Sequence, residues 1–169
     1  MLLPLDVVVL CKVHGLEAER WTQMELAKLL FMSSRSVNEA LKRAEHARLY
    51  SPIRRQVSVG AFEEALVHGI RYFMAAERGT LTRGIPTSWA APPLVNMLTA
   101  SEEPPPVWPD PNGTVRGVAL QPLHHSVPQA TKEDPALYEM LALIDALRES
   151  GARERQLAAQ ELGRRLRRE

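Results

Sequence analysis

Eleven of the thirteen prolines in this 169-residue chain fall between Gly84 and Pro135. Nothing else in the sequence limits its folds as strongly. A proline inside a helix removes a backbone donor and pushes against the preceding turn, so no long helix can cross this stretch. Pro92-Pro93 and Pro104-Pro105-Pro106 are the densest points. Yet the segment is not a low-complexity linker, because Ile85, Trp89, Leu94, Val95, Met97, Leu98, Val107, Trp108 and Leu120 all favour burial. An extended arm laid over a surface reconciles prolines with large apolar side chains. Within it, Leu94 to Thr99 has room for one helical turn. Thr114 to Leu120 is the best strand, preceded by a turn at Asp110 to Gly113.

Helices belong on either side, and the most telling pair lies between Trp21 and Tyr50. Thr22 and Glu25 form a T-x-x-E capping box, in which each side chain satisfies an orphan backbone donor. Leu26, Ala27, Leu29 and Leu30 supply the apolar stripe of a short helix, and Phe31 and Met32 carry a turn. Ser33 and Ser34 offer a second N-cap. Val37, Ala40, Leu41 and Ala44 then recur at helical spacing. At about 100° per residue, the opposite face carries Arg35, Glu39, Lys42 and His46, flanked by Ser36, Asn38 and Arg43. Two helices joined by a tight turn, the second exposing donors and cations, suit insertion into a major groove.

This segment resembles the winged helix-turn-helix domain of MarR-like bacterial transcription regulators. In that family the second helix begins with serine or threonine and ends in a leucine-x-x-x-glycine-leucine-isoleucine pattern. Here that end reads Ala44-Glu45-His46-Ala47-Arg48-Leu49-Tyr50. Arg48 replaces the usual glycine, which leaves two outcomes: a different helix stop, or Arg48 held at positive φ. The resemblance covers roughly the first half of the chain and implies a fold, not one particular regulator.

The flanks fit the same plan. Pro4 suits the first turn of a helix through Val13, with Val7, Val8, Leu10 and Cys11 apolar and Gly15 as its end. Trp21 is placed in a short first strand of the wing sheet. Ser51 to Val57 makes the wing hairpin, with Pro52 at the turn or an edge and Arg54 and Arg55 near the tip. Val59 to Arg78 reads as the next helix, through Phe62, Ala65, Leu66, Gly69, Ile70 and Phe73, with Gly79 as its stop. Gly69 on that stripe invites close approach by another backbone.

At the other end Asp134 is an N-cap and Pro135 a first helical residue, followed by Leu137, Met140, Leu141, Ile144 and Leu147 on one stripe. Ser150-Gly151 breaks the helix. A second one runs on with Leu157, Ala158, Leu162 and Leu166, so the pair is predicted to fold as an antiparallel hairpin. Its stripes need a counterpart, in the first half of the chain or in another molecule. Arg164, Arg165, Arg167 and Arg168 read as a solubilising tail rather than a DNA arm.

The net charge is only +1, so no global field draws the chain to nucleic acid. Locally, Arg35, Lys42, Arg43, Arg48, Arg54 and Arg55 face only Glu39 and Glu45, and phosphate contacts act within a Debye length. The single Cys11 excludes an internal disulfide and suits a small buried side chain. The apolar start, MLLPLDVVVLCKV, is interrupted by Asp6, is too short to span a bilayer and does not read as a signal peptide. A cytoplasmic location is therefore expected. Asn112-Gly113-Thr114 matches a glycosylation acceptor but reads as a turn. His124 and His125 are expected to diverge, and metal-ligand spacing is absent. Without a phosphate loop, a GxSxG elbow or paired catalytic carboxylates, neither an enzyme, a metal nor a cofactor is expected.

The sequence thus predicts a mainly helical α+β protein: a winged helix-turn-helix over residues 1–79, a Pro-rich extended arm over 80–133 and a C-terminal helical hairpin for assembly over 134–169. Its expected function is sequence-specific double-stranded DNA binding as a transcriptional repressor and homodimer. Arg35, Asn38, Glu39 and Lys42 would face base edges, while Ser34, Ser36, Arg43, Arg54 and Arg55 would mainly hold phosphates. The rival is a protein-interaction module, or an antitoxin-like protein whose arm and C-terminal helices bind a second protein.

Overall fold

Proline and aspartate together start the first helix of the computed structural model, which describes residues 1–169. In α1 (Pro4–Gly15), the Asp6 carboxylate accepts from the Leu3 backbone N–H at 2.8 Å. Val7 to Cys11 and Val13 are all buried, so α1 is enclosed on several sides rather than along one stripe. In α2 (Gln23–Leu30), the Glu25 N–H donates to Thr22 Oγ1 at 3.1 Å and the Thr22 N–H donates to Glu25 Oε2 at 2.8 Å. The helix closes on Phe31 in the left-handed region.

The next helix, α3 (Ser34–His46), is capped by Ser33, whose Oγ accepts from the Ser36 N–H at 3.0 Å. Val37, Ala40, Leu41 and Ala44 form its buried inner face. Its end settles the question of Arg48, which stands at φ 62°. The Leu49 N–H reaches back to the Ala44 carbonyl at 2.8 Å, so an arginine holds the position where glycine is easiest. Strands β1 (Tyr50–Ser51) and β2 (Gln56–Val57) follow as an antiparallel hairpin, Tyr50 opposite Val57. Trp21 adds no third strand. Its carbonyl is taken by the Arg55 side chain instead of a strand partner.

Helix α4 (Val59–Phe73) stops short of Arg78. At Met74 the backbone leaves helical geometry, φ −133°, and the Met74 carbonyl accepts from Arg148 Nε at 2.7 Å. Gly79 is not a helix stop but a strand residue of β3 (Arg78–Pro86). Gly69 meets no other backbone; within 4 Å its side-chain direction holds only the Phe73 ring.

Residues 80–133, expected as an arm, fold into the body of the molecule. Strands β3, β4 (Pro106–Pro109) and β5 (Val115–Leu120) each pair with the other two, β3 antiparallel to both and β4 parallel to β5. Pro86, Pro106 and Pro109 stand at strand ends, where a missing donor costs the ladder least. Close approach requires glycine here: a Cβ on Gly84 would lie 2.0 Å from the Trp108 carbonyl oxygen, and one on Gly117 equally close to that of Pro105, also 2.0 Å. Short 3-10 turns at Ser88–Ala90 and Leu94–Asn96 and the one-turn α5 (Val127–Ala130) complete the stretch.

Helix α6 (Pro135–Glu149) is capped by Asp134, which accepts from the Leu137 N–H at 3.0 Å. Leu137 and the unbroken run Met140 to Leu147 are buried against α1, α4, the first 3-10 turn and α7 (Ala152–Arg167). The counterpart of its apolar side chains is therefore this chain's own first half. One cluster of 35 buried residues takes members from α1 through α7 and includes Leu94 and Trp108. Inside it, Asp145 accepts from Thr87 Oγ1, Trp108 Nε1 and Arg148 Nη1, each at 2.7 Å. Burial pushes its carboxyl up from the ordinary value, against the pull of Arg148 and the other donors. No helix is long and apolar enough to cross a membrane.

Candidate nucleic-acid interface

The outer face of α3 exposes Ser34, Arg35, Glu39 and Lys42, with Ser36 and Asn38 half-buried beside them. These side chains share a face because the inner one is held in the core. Arg35 and Glu39 hold each other: Arg35 Nε donates to Glu39 Oε1 at 2.9 Å across one helical turn. The guanidinium keeps the Glu39 carboxyl below its usual range. Ser36 Oγ lies 2.8 Å from Ser33 Oγ and belongs to the N-cap.

Arg43 is placed differently from the expectation that it meets phosphate. Its Nε and Nη2 donate to the two oxygens of Asp6 at 2.9 and 2.7 Å. Asp6 is fully buried and already caps α1, so the pair bolts α3 to α1. Arg43 supplies the paired charge that the buried Asp6 carboxylate requires.

The hairpin separates its two arginines. Arg54 is exposed beside Ile53, whose side chain is 94% exposed. Arg55, at φ 53°, turns back: its guanidinium sits 4.5 Å over the Trp21 ring and donates to the Trp21 carbonyl. Between α3 and the hairpin this leaves a groove of about 360 Å³. Trp21, Gln23 and Tyr50 line it with Asn38, Lys42 and Arg55. Sequence reasoning did not bring Trp21, Gln23 and Tyr50 to this groove; the signal available was that Gln23 opens α2 directly after the Thr22 cap.

No family model, curated protein or solved structure matches this chain.

The C-terminal arginines form no free tail. Arg164 donates to Glu161 at 3.0 Å, and Arg165 donates to Glu139 and Glu161, each at 2.7 Å. Arg167 donates to Glu63 at 2.6 Å and Arg168 to the His14 carbonyl at 3.0 Å. Arg165, Arg167 and Arg168 thereby staple α7 to α6, α4 and α1, while Arg164 bonds within α7. His124 and His125 do not diverge: their rings lie 4.1 Å apart, because a turn ties His124 Nδ1 to Ser126 Oγ at 2.8 Å. Cys11 is buried, and burial pushes its thiol up.

Proposed function

We propose that this chain is a sequence-specific double-stranded DNA-binding regulator built on a winged helix-turn-helix, acting in the cytoplasm as a homodimeric repressor. The observation that carries this reading is the division of α3: Val37, Ala40, Leu41 and Ala44 locked inside, and a row of Arg35, Asn38, Glu39 and Lys42 outside. That row offers what base edges accept. Arginine and lysine donate to guanine, asparagine pairs with adenine, and glutamate accepts from cytosine. Glu39 also holds Arg35 extended across the helix turn before any base is met. Ser34 and Arg54 remain free for phosphate, whereas Arg43 acts through Asp6 by fixing the pitch of α3 on α1. The dimer, or a second protein in an antitoxin-like arrangement, would draw on Tyr72 and Phe73 at the end of α4, which are 71% and 84% exposed. Large exposed apolar side chains of this kind mark contact surfaces.

The test is the double substitution Arg35→Ala with Lys42→Ala. Affinity for a selected operator should fall by about 1–3 kcal/mol per base-directed contact, with the melting temperature nearly unchanged. Operator binding as tight as that of the wild type at matched salt would overturn the assignment.

A further inference from the structure

We infer that the groove between α3 and the β1–β2 hairpin is a seat for a phosphate oxyanion, and that the Trp21 indole N–H is one of its donors. The inference rests on the DNA reading only for the source of the phosphate, not for the seat itself.

Trp21 is 4% exposed, and its Nε1 is the buried side-chain nitrogen or oxygen in this molecule without a hydrogen-bond partner. An indole nitrogen can only donate, and a buried donor left unmet costs stability. Trp108, also buried, shows what such a ring does when an acceptor is in reach: it gives its N–H to Asp145 at 2.7 Å. Trp21 instead lines the groove of about 360 Å³.

The rest of the lining asks for the same kind of ligand. Lys42 and Arg55 are donors without acceptor capacity, and the amides of Gln23 and Asn38 can donate as well. Glu45 is the one carboxylate of the wall. Arg55 is not a loose surface cation: its guanidinium is held over the Trp21 ring and against the Trp21 carbonyl. Two cations and the tryptophan that carries the unmet donor line one groove; this set matches a ligand rich in acceptors and negative in charge, and a phosphate group presents several oxygens to separate donors at once. The groove adjoins the base-facing row through Asn38 and Lys42, which suits a backbone phosphate of bound duplex. A free phosphorylated compound has the same chemistry.

The test uses the full chain labelled with nitrogen-15, whose three tryptophans give three indole resonances, with Trp21→Phe identifying one of them. Inorganic phosphate should move the Trp21 resonance downfield in a saturable way, while chloride at equal ionic strength should not. The Trp108 resonance, already bonded to Asp145, should stay in place. Lys42→Gln should weaken phosphate binding about tenfold. A dye-labelled duplex is followed in parallel by anisotropy. If the duplex binds and moves the Trp21 resonance, the backbone supplies the phosphate. If inorganic phosphate moves it and the duplex does not bind, the seat stands for a free phosphorylated compound and the DNA reading falls. A duplex that binds while the Trp21 resonance ignores both ligands would overturn the seat and leave the DNA reading intact. A shift that chloride reproduces, or that survives Lys42→Gln unweakened, also overturns it.

Discussion

Asp145 accepts from Thr87, Trp108 and Arg148 in a position 1% exposed, and Arg148 carries the connection on to the Met74 carbonyl. One carboxylate thereby ties the start of the first 3-10 turn, strand β4 and the end of α4 to helix α6. Truncating it strands a buried guanidinium, so Asp145→Ala should cost about 3–5 kcal/mol of unfolding free energy, measured by urea titration; a loss below about 1 kcal/mol would deny it this role. His14 and His124 set a pH dependence. Burial lowers both, with Arg168 adding to the effect at His14 and His125 at His124, and the Arg165 carbonyl opposing it at His14. The unfolded chain then binds protons more readily than the folded one, so the contribution of the neutral rings is present above the ordinary value of 6.5 and is lost as pH falls through it. The loss levels off once the pH lies below the lowered folded values. The melting temperature should drop between about pH 7.5 and 5.5 and should drop less in the His14→Gln, His124→Gln double variant. An unchanged slope in that variant would place the dependence elsewhere.

Elements whose causes lie within a few residues could be read before the structure was known. The Thr22–Glu25 box, the Ser33 cap, the Asp134 cap and the turn at Asp110, where the Asn112 N–H donates to Asp110 Oδ1 at 2.8 Å, all join residues two or three apart. The misjudged ends have distant causes. Helix α4 stops at a carbonyl claimed by Arg148, 74 positions away; Arg55 folds onto Trp21, 34 positions away; Arg167 finds Glu63 across 104. Periodicity carries no information about such partners. The α3 outer face was legible as a pattern, but the withdrawal of Arg43 toward Asp6 was not, because a lone aspartate in an apolar helix announces no partner. The same division sorts the two hairpin arginines. Arg54, exposed, should act through charge alone, so Arg54→Gln should lower affinity for unrelated duplexes alike and reduce the salt slope by about one unit. A changed sequence preference at constant slope would move Arg54 to a base edge.

At the scale of the whole molecule, the prolines that forbid helices between Gly84 and Pro135 do not forbid burial. Three short strands that pair mutually place Pro86, Pro106 and Pro109 at their ends and bring Trp108 to 1% exposure. The apolar side chains that suggested an arm in search of a partner are thus consumed inside the chain. Leu94 and all later members make up fifteen of the thirty-five residues in the buried cluster, and α6 alone supplies Leu137, Met140, Leu141, Leu143, Ile144, Ala146 and Leu147. Cutting the chain after Gly79 would remove the helix on which α1 and α4 pack and uncover valine, leucine and phenylalanine side chains that they bury in the shared cluster. Burying a side chain of this size stabilises by about 1.5–3 kcal/mol, and a domain's net stability is only about 5–15 kcal/mol. A fragment of residues 1–79 should therefore lack a cooperative thermal transition, and the full chain should melt in one calorimetric step. Loss of operator binding by that fragment would then report unfolding rather than a lost dimer contact. A fragment that melts sharply on its own, with its amide protons protected from exchange along α1, would show that the first half keeps a core independent of α6.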